Sequence, residues 1–188
     1  MTSTTTPDNG VDVGRLVETI EAVKDDPNLA AFTFRAKSSW EHGMHNVGEI
    51  STFTHADSTD ESRVAPYVLH GDEPPALLGT NKGPNAVELL LQSLAFCYAA
   101  GYAANAAAQG IQITRMEYEI EGDVDVRAFL GLEGARPGLT GIRAKGRISS
   151  PNATPEQLAE LCSYVQDTSP VRDCLANPVP VETTLEVV

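Results

Sequence analysis

The sequence has no Asp, Glu, Lys or Arg between Leu89 and Thr114. Asn85, which follows a Gly/Pro/Asn-rich loop, is a good helix N-cap, so we predict a helix that begins directly after it. A helix that is apolar all round is covered on nearly every side, which makes this the core helix. A membrane span needs about 20 apolar residues. Gln92 and Asn105 interrupt the stretch and no Lys/Arg cluster flanks it, so we predict no membrane association.

Basic residues are also scarce. There are 13 Lys and Arg against 26 Asp and Glu, for a net charge of −13. This charge argues against a nucleic acid or an anionic membrane surface as partner, and it is compatible with a small neutral substrate. Residues 1–10 lack the basic and apolar regions of a signal peptide and are expected to form a frayed polar tail. We therefore predict a cytoplasmic protein.

The chain has three cysteines, Cys97, Cys162 and Cys174, and no CxxC pair, so a structural zinc site has no support. In the cytoplasm a disulfide would be transient or catalytic. Cys97 lies near the middle of the predicted core helix, where a lone cysteine is most often a small buried hydrophobe. Cys162 is expected in the core. His42 and His45, on a hairpin, should point in different directions, so we predict no metal and no cofactor.

Hydrophobic periodicity predicts a mixed order of elements. We expect a helix at residues 11–24, a strand at 31–37, a turn at 40–43, residues 44–53 as the second arm of a hairpin, and a strand at 64–69 before the core helix. After it, residues 116–126 alternate apolar and acidic side chains, and residues 142–148 alternate apolar and basic ones. Opposite charges stabilise neighbouring antiparallel strands, so we predict that these two strands pair, with a solvated charged face.

The C-terminal part begins with a strong helix signal. Thr154, Pro155 and Gln157 form a capping-box pattern, so we predict a helix at 155–166. Ser169 and Pro170 are expected to cap a short helix at 171–176, and residues 181–188 alternate as a last strand. This order predicts an α+β fold with a sheet curled around one central helix. Residues 1–30 would be a tail and an extra helix, and residues 31–188 one domain.

Three stretches resemble the OsmC/Ohr family of osmotically inducible and organic hydroperoxide resistance proteins. They are GTNKGPNAVELLLQSLAFCYAAGYAANAAA, SPVRDCLANPVPVE and SSWEHGMHN. The resemblance implies an intertwined homodimer, with curved antiparallel sheets wrapped around long central helices and active sites at the subunit interface. Typical members reduce organic hydroperoxides. A thiolate becomes a sulfenic acid, a second cysteine condenses with it to a disulfide, and a dithiol reduces that disulfide.

The resemblance places the family's peroxidatic thiol at Cys97. The family's second cysteine usually stands directly before the Pro of the late motif, and in this chain that position is Ser169. Cys174 is a possible substitute for it.

The charged residues that assist the thiol in the family are displaced. The family's Glu falls on Val87, and Glu88 stands next to it as the candidate. The family's Arg would lie near His45, where this chain has none, so Arg35 and Arg172 are candidates from elsewhere.

Two functions follow from these residues. The first is a thiol peroxidase that reduces organic hydroperoxides through Cys97, together with Cys174 or an external thiol. The second is a non-catalytic dimer of the same fold that binds a small apolar ligand or senses oxidation. The retained Cys97 favours the first function, and the replacements at Ser169 and Val87 favour the second.

Overall fold

The structure, a computed structural model, describes residues 9–188. The chain forms two compact units. The first unit contains residues 12–91, and the second contains residues 9–11 and 92–188. Residues 1–8, which carry most of the predicted tail, lie outside the described residues.

The first unit contains helix α1 (Val13–Asp25) and two antiparallel sheets of three strands. Asp12 caps α1 by accepting a hydrogen bond from the Arg15 backbone N–H at 3.0 Å. One sheet has the strand order β1-β4-β5 and the other the order β2-β3-β6. The strands are β1 (Phe32–Thr33), β2 (Lys37–His42), β3 (His45–Ile50), β4 (Phe53–His55), β5 (Ser58–Asp60) and β6 (Tyr67–Gly71).

The predicted hairpin forms, because β2 pairs with β3 across a turn at Gly43, but residues 40–42, predicted as turn, belong to β2. The predicted strand at residues 31–37 is wrong in its extent. The chain is in β1 only at Phe32–Thr33, where it pairs with β4, and it enters the other sheet at β2. The alternating residues 31–37 therefore run from one sheet to the other. An alternating pattern looks the same for one continuous strand and for two short strands in different sheets.

Helix α2 (Ala86–Ala108) begins directly after Asn85, as the sequence predicts. Asn85 Oδ1 accepts the Glu88 backbone N–H, and Glu88 Oε2 accepts the Asn85 backbone N–H, each at 2.8 Å. The two residues thus cap the helix reciprocally. At the other end Gly110 has φ +68°. The Ile111 N–H donates to the Ala106 carbonyl, a Schellman cap that needs this left-handed glycine.

The core of the second unit lies on one face of α2. Leu94, Tyr98, Tyr102 and Ala106 are buried against Leu161 and Val165 of helix α3 (Pro155–Thr168). The two helices approach closely at Gly101, where an added Cβ would lie 3.0 Å from Val165 Cγ1. The absence of a side chain at Gly101 therefore allows tight helix packing at this point.

Strands β7 (Arg115–Asp123) and β8 (Gly141–Ser149) pair antiparallel over their whole length, which confirms the predicted neighbours. The charged face is solvent-exposed. Arg147 pairs with Glu119 at 2.8 Å, and Arg143 pairs with Glu121 and Asp123. Such exposed pairs contribute little to stability. The opposite face, which includes Met116, Tyr118, Ile120, Ile142 and Ile148, packs against the core.

The predicted strand at Val181–Val188 is wrong. The structure forms the predicted short helix, α4 (Pro170–Ala176), but leaves the chain after Asn177 without strand pairing. Leu185 is 88% exposed. A strand needs a neighbour to accept its backbone hydrogen bonds, and within residues 9–188 none pairs with this segment. Alternating side chains indicate that a segment could form a strand, but they do not show whether a neighbouring strand is present to pair with it.

The predicted frayed tail is wrong at its last residues. Asn9 Nδ2 donates to the Ile111 carbonyl at 2.8 Å, and Asn9 Oδ1 accepts the Ile113 N–H at 2.9 Å. An Asn side chain has an NH₂ group that donates hydrogen bonds and a carbonyl oxygen that accepts them. It can therefore bond to a backbone carbonyl and a backbone N–H at the same time, as the backbone of a neighbouring strand does. This contact between distant parts of the chain has no local sequence signal.

Much apolar surface is exposed in the single chain, including Trp40 at 68% and Phe96 at 67%. Helix α2 is long and apolar enough to span a membrane, with a mean hydropathy of 1.3. Length and composition alone do not identify a membrane span, because the core helix of a soluble protein can have the same length and hydropathy. Five α2 residues are buried within the chain: Leu94, Tyr98, Tyr102, Ala106 and Ala107.

Candidate functional site

Cys97 lies on α2 and is half-buried. Its Sγ is 3.1 Å from Ser169 Oγ, within hydrogen-bonding distance for sulfur. Ser169 is only 4% exposed. The residue in direct contact with the candidate thiol is thus a buried serine hydroxyl, and it stands at the position that the resemblance assigns to a second cysteine.

Ser169 is held in this place by helix capping. Its Oγ accepts the Arg172 backbone N–H at 3.2 Å, and Pro170 occupies the first position of α4. Pro is favoured there because it has no N–H to leave unsatisfied. The predicted cap is confirmed, and the Ser-Pro sequence therefore both starts α4 and fixes the hydroxyl beside Cys97.

A chain of polar contacts leads from this serine to a second thiol. Arg172 Nη1 donates to the Gln166 carbonyl at 3.4 Å, and Gln166 Nε2 donates to Cys162 Sγ at 3.2 Å. Burial raises the pKa of Tyr98, and the positive charge of Arg172 opposes that rise. Arg172 therefore acts electrostatically on the residue that follows Cys97 in the chain, which makes it a candidate cation for the site.

A pocket of about 340 Å³ lies beside this chain of contacts in the second unit. For comparison, an apolar cavity of about 150 Å³ holds benzene. Burial raises the pKa of Tyr102 and of Tyr118, so both phenols are neutral at physiological pH. The wall comprises Tyr98, Tyr102, Met116, Tyr118, Ala144, Gly146, Arg147, Ile148, Pro155, Leu158, Ala159, Cys162 and Gln166.

The structure places Cys162 half-buried against the core, as predicted, and also in the wall of this pocket. Cys174 is a free, exposed thiol on α4. Glu88 is exposed in the first turn of α2, where it caps the helix with Asn85. Catalytic roles for Cys174 and Glu88 stay predictions.

The loop that leads into α2 is fixed by Asp72, which the sequence analysis did not identify. This carboxylate is 4% exposed. It accepts hydrogen bonds from the Thr80 hydroxyl at 2.6 Å and from the backbone N–H groups of Glu73, Thr80 and Lys82. The Thr80 hydroxyl is the largest cause that lowers the pKa of Asp72 to about 2, although burial opposes it. An Asp followed by a Gly/Asn-rich loop is the only local signal for this arrangement.

We predict that Asp72 makes the unfolding free energy depend on pH. Its pKa falls from 3.8 to about 2 on folding. The ionised carboxylate therefore stabilises the fold fully above about pH 4, and this contribution is lost as the pH falls towards 2. Urea unfolding followed by circular dichroism at pH 5, 4, 3 and 2.5 should show a steeper loss for the wild type than for Asp72→Asn. Asp167→Asn, at an exposed position of α3, is the matched control, and equal slopes for all three proteins would contradict the prediction.

Two histidines of neighbouring strands are in contact. His45 Nε2 lies 3.0 Å from His70 Nδ1, and their rings stack. In the described part of the chain no three or more His, Cys, Asp or Glu side chains are grouped as a metal site. We therefore assign no metal role to this pair.

Several solved structures share the fold. An OsmC-like protein from Mycoplasma pneumoniae matches with a TM-score of 0.58 and 18% identity, covering 78% of this chain and 89% of that chain. An OsmC-like protein of unknown function from Vibrio cholerae gives a TM-score of 0.58 at 9% identity, covering 74% and 91%. An organic hydroperoxide resistance protein, OsmC, from Legionella pneumophila gives 0.53 at 15% identity, covering 77% and 90%. At such identities the similarity establishes the fold alone.

These matches confirm the predicted α+β fold with a long helix, α2, and antiparallel sheets. No curated protein sequence matches the chain. The OsmC-like protein family does match, over residues 79–184, which include the loop before α2, the helix itself and the Ser169 region. The chain therefore belongs to the OsmC-like protein family.

Proposed function

We propose that this protein is a thiol peroxidase that reduces small organic hydroperoxides at Cys97. The observation that supports it most directly is the contact of 3.1 Å between Cys97 Sγ and Ser169 Oγ. It brings the α2 thiol next to Ser169, the position at which the resemblance implies the family's second cysteine, so the two motif regions meet although the second sulfur is replaced by a hydroxyl. The Legionella protein of the same fold is described as an organic hydroperoxide resistance protein.

The reaction begins with the Cys97 thiolate, since the thiolate and not the thiol is the nucleophile. Its sulfur attacks the outer peroxide oxygen. The new S–O bond forms as the O–O bond breaks, so that sulfur loses two electrons and the alkoxide takes up a proton to leave as an alcohol. Cys97 becomes a sulfenic acid. Arg172 is the candidate cation for the thiol, and Glu88 is the candidate acid carried over from the family. The second thiol is either Cys174 or an external one.

The functional unit of this proposal is a homodimer. A single chain exposes large apolar side chains in both units and ends in an alternating, unpaired segment. Exposed apolar surface on this scale is typical of an interaction site, and a second copy would cover it. The family resemblance supports the same arrangement.

Thiol counting tests the proposal. The reduced protein is treated with one equivalent of cumene hydroperoxide per chain, and free thiols are counted while mass spectrometry locates the oxidised residue. We expect loss of Cys97 thiol and formation of one equivalent of cumyl alcohol. An unchanged thiol count at millimolar hydroperoxide, with the protein folded by circular dichroism, would overturn the proposal.

The pocket of about 340 Å³ favours a second candidate function, the binding of a small apolar ligand. Its size suits a molecule somewhat larger than benzene, and its three tyrosines offer hydroxyl groups to one polar substituent. Calorimetric titration with cumyl alcohol on the Cys97→Ser protein would separate this function from catalysis. Saturable binding there, without thiol oxidation in the wild type, would favour the binding function.

A further inference from the structure

The Ser169 hydroxyl can donate a hydrogen bond to Cys97. Its Oγ already accepts the Arg172 backbone N–H at 3.2 Å, so its own O–H remains for Cys97 Sγ at 3.1 Å. Ser169 is 4% exposed, so water has little access to this hydroxyl. A thiolate can only accept a hydrogen bond, and in that state the serine must be the donor.

The side chain that makes this contact with Cys97 carries no sulfur. The hydroxyl of Ser169 cannot form a disulfide. Cys174 lies on α4, five residues after Ser169 and more than one helical turn beyond the residue that contacts Cys97. A disulfide needs Cα atoms within about 7 Å and side chains that face each other. Cys174 is exposed on α4, and the side chain in contact with Cys97 is that of Ser169.

We propose that Ser169 orients and stabilises the Cys97 thiolate as its hydrogen-bond donor, and that the sulfenic acid is resolved by an external thiol instead of a second cysteine of the chain. The inference rests on the peroxidase function proposed above. An external thiolate attacks the sulfenic sulfur, an S–S bond forms, and the hydroxide leaves as water after taking up a proton. A second external thiol then releases Cys97 and leaves as the external disulfide. The balance is one hydroperoxide and two thiols to one alcohol, one water and one disulfide.

The decisive comparison is between the wild type and Ser169→Cys, each oxidised with one equivalent of cumene hydroperoxide in the presence of dimedone. We expect the wild type to lose one thiol and to carry dimedone on Cys97. We expect Ser169→Cys to lose two thiols and to form an internal disulfide that excludes dimedone. With β-mercaptoethanol in place of dimedone, the wild type should form a mixed disulfide at Cys97.

Two further variants test the hydrogen bond itself. Ser169→Ala should slow the oxidation of Cys97 by about tenfold, because it removes a hydrogen bond to a charged group, and Ser169→Thr should restore the rate. Ser169→Ala also removes the cap of α4. Thr154→Ala, which removes the cap of α3 without contact to Cys97, is therefore the control and should leave the rate unchanged.

The outcomes separate the two proposals. A disulfide between Cys97 and Cys174 or Cys162 in the oxidised wild type would overturn external resolution and leave the peroxidase function standing. Equal rates for Ser169→Ala and Ser169→Thr would overturn the role of the hydroxyl. Absence of any oxidation at Cys97 in both the wild type and Ser169→Cys would overturn the peroxidase function itself.

Discussion

Cys97→Ser should reduce cumene hydroperoxide at least about a thousandfold more slowly than the wild type when dithiothreitol is the reductant. A serine hydroxyl is not ionised at neutral pH, and no other half-buried thiol contacts Ser169 in the described structure. The measurement is the rate of hydroperoxide loss at several protein concentrations, corrected for the reaction with dithiothreitol alone.

Cys162→Ser is the matched control for this effect. It removes the other half-buried thiol, which lies in the pocket wall and receives the Gln166 side chain instead of contacting Ser169. We expect this variant to reduce the hydroperoxide at a rate close to that of the wild type. If Cys162→Ser lost the activity and Cys97→Ser kept it, the reactive thiol would be Cys162 and not Cys97.

Gly83→Ala should destabilise the protein by about 3 kcal/mol or more. A Cβ at residue 83 would overlap the backbone carbonyl of His70, which belongs to strand β6 and cannot move aside as a flexible side chain could. Gly79 has the same relation to the backbone of Glu73. The loop before α2 thus packs against the backbone of His70 and Glu73 at Gly83 and Gly79, where there is no room for a side chain.

The measurement is urea unfolding of Gly83→Ala beside Gly71→Ala. At Gly71 the nearest atom to an added Cβ is the Pro84 carbonyl oxygen at 4.0 Å, so an alanine fits there. We expect Gly71→Ala to change the unfolding free energy by less than about 1 kcal/mol. Similar midpoints for the two variants would show that the loop can withdraw from β6 at little cost.

The elements with strong local signals could be predicted from the sequence. Helix α2 has Asn85 at its start and Gly110 at its end, and α3 has the capping box of Thr154. The pairing of β7 with β8 could be predicted because their charges are opposite and their alternation is regular. The helix caps are close in sequence to the helices they determine, and the opposite charges of β7 and β8 are visible in the sequence of each strand.

The errors concern contacts between distant residues. Nothing local shows that Asn9 bridges two backbone groups near Ile111, or that residues 181–188 have no partner strand among residues 9–188. At the site, Cys97 was identified by its position in an apolar helix and by resemblance. The buried hydroxyl of Ser169 beside it, and the carboxylate of Asp72 under the loop, depend on tertiary packing that periodicity does not encode.

The apolar side chains that one chain leaves exposed, such as Trp40 and Phe96, have a consequence for every stability comparison. In the proposed homodimer that surface would be buried only on association, so folding and association would be linked by mass action. Each tenfold dilution of the chain would then remove about 1.4 kcal/mol of apparent stability. Unfolding midpoints of the variants described above are therefore comparable only at one matched protein concentration, and a midpoint measured at micromolar protein overstates the stability at nanomolar levels.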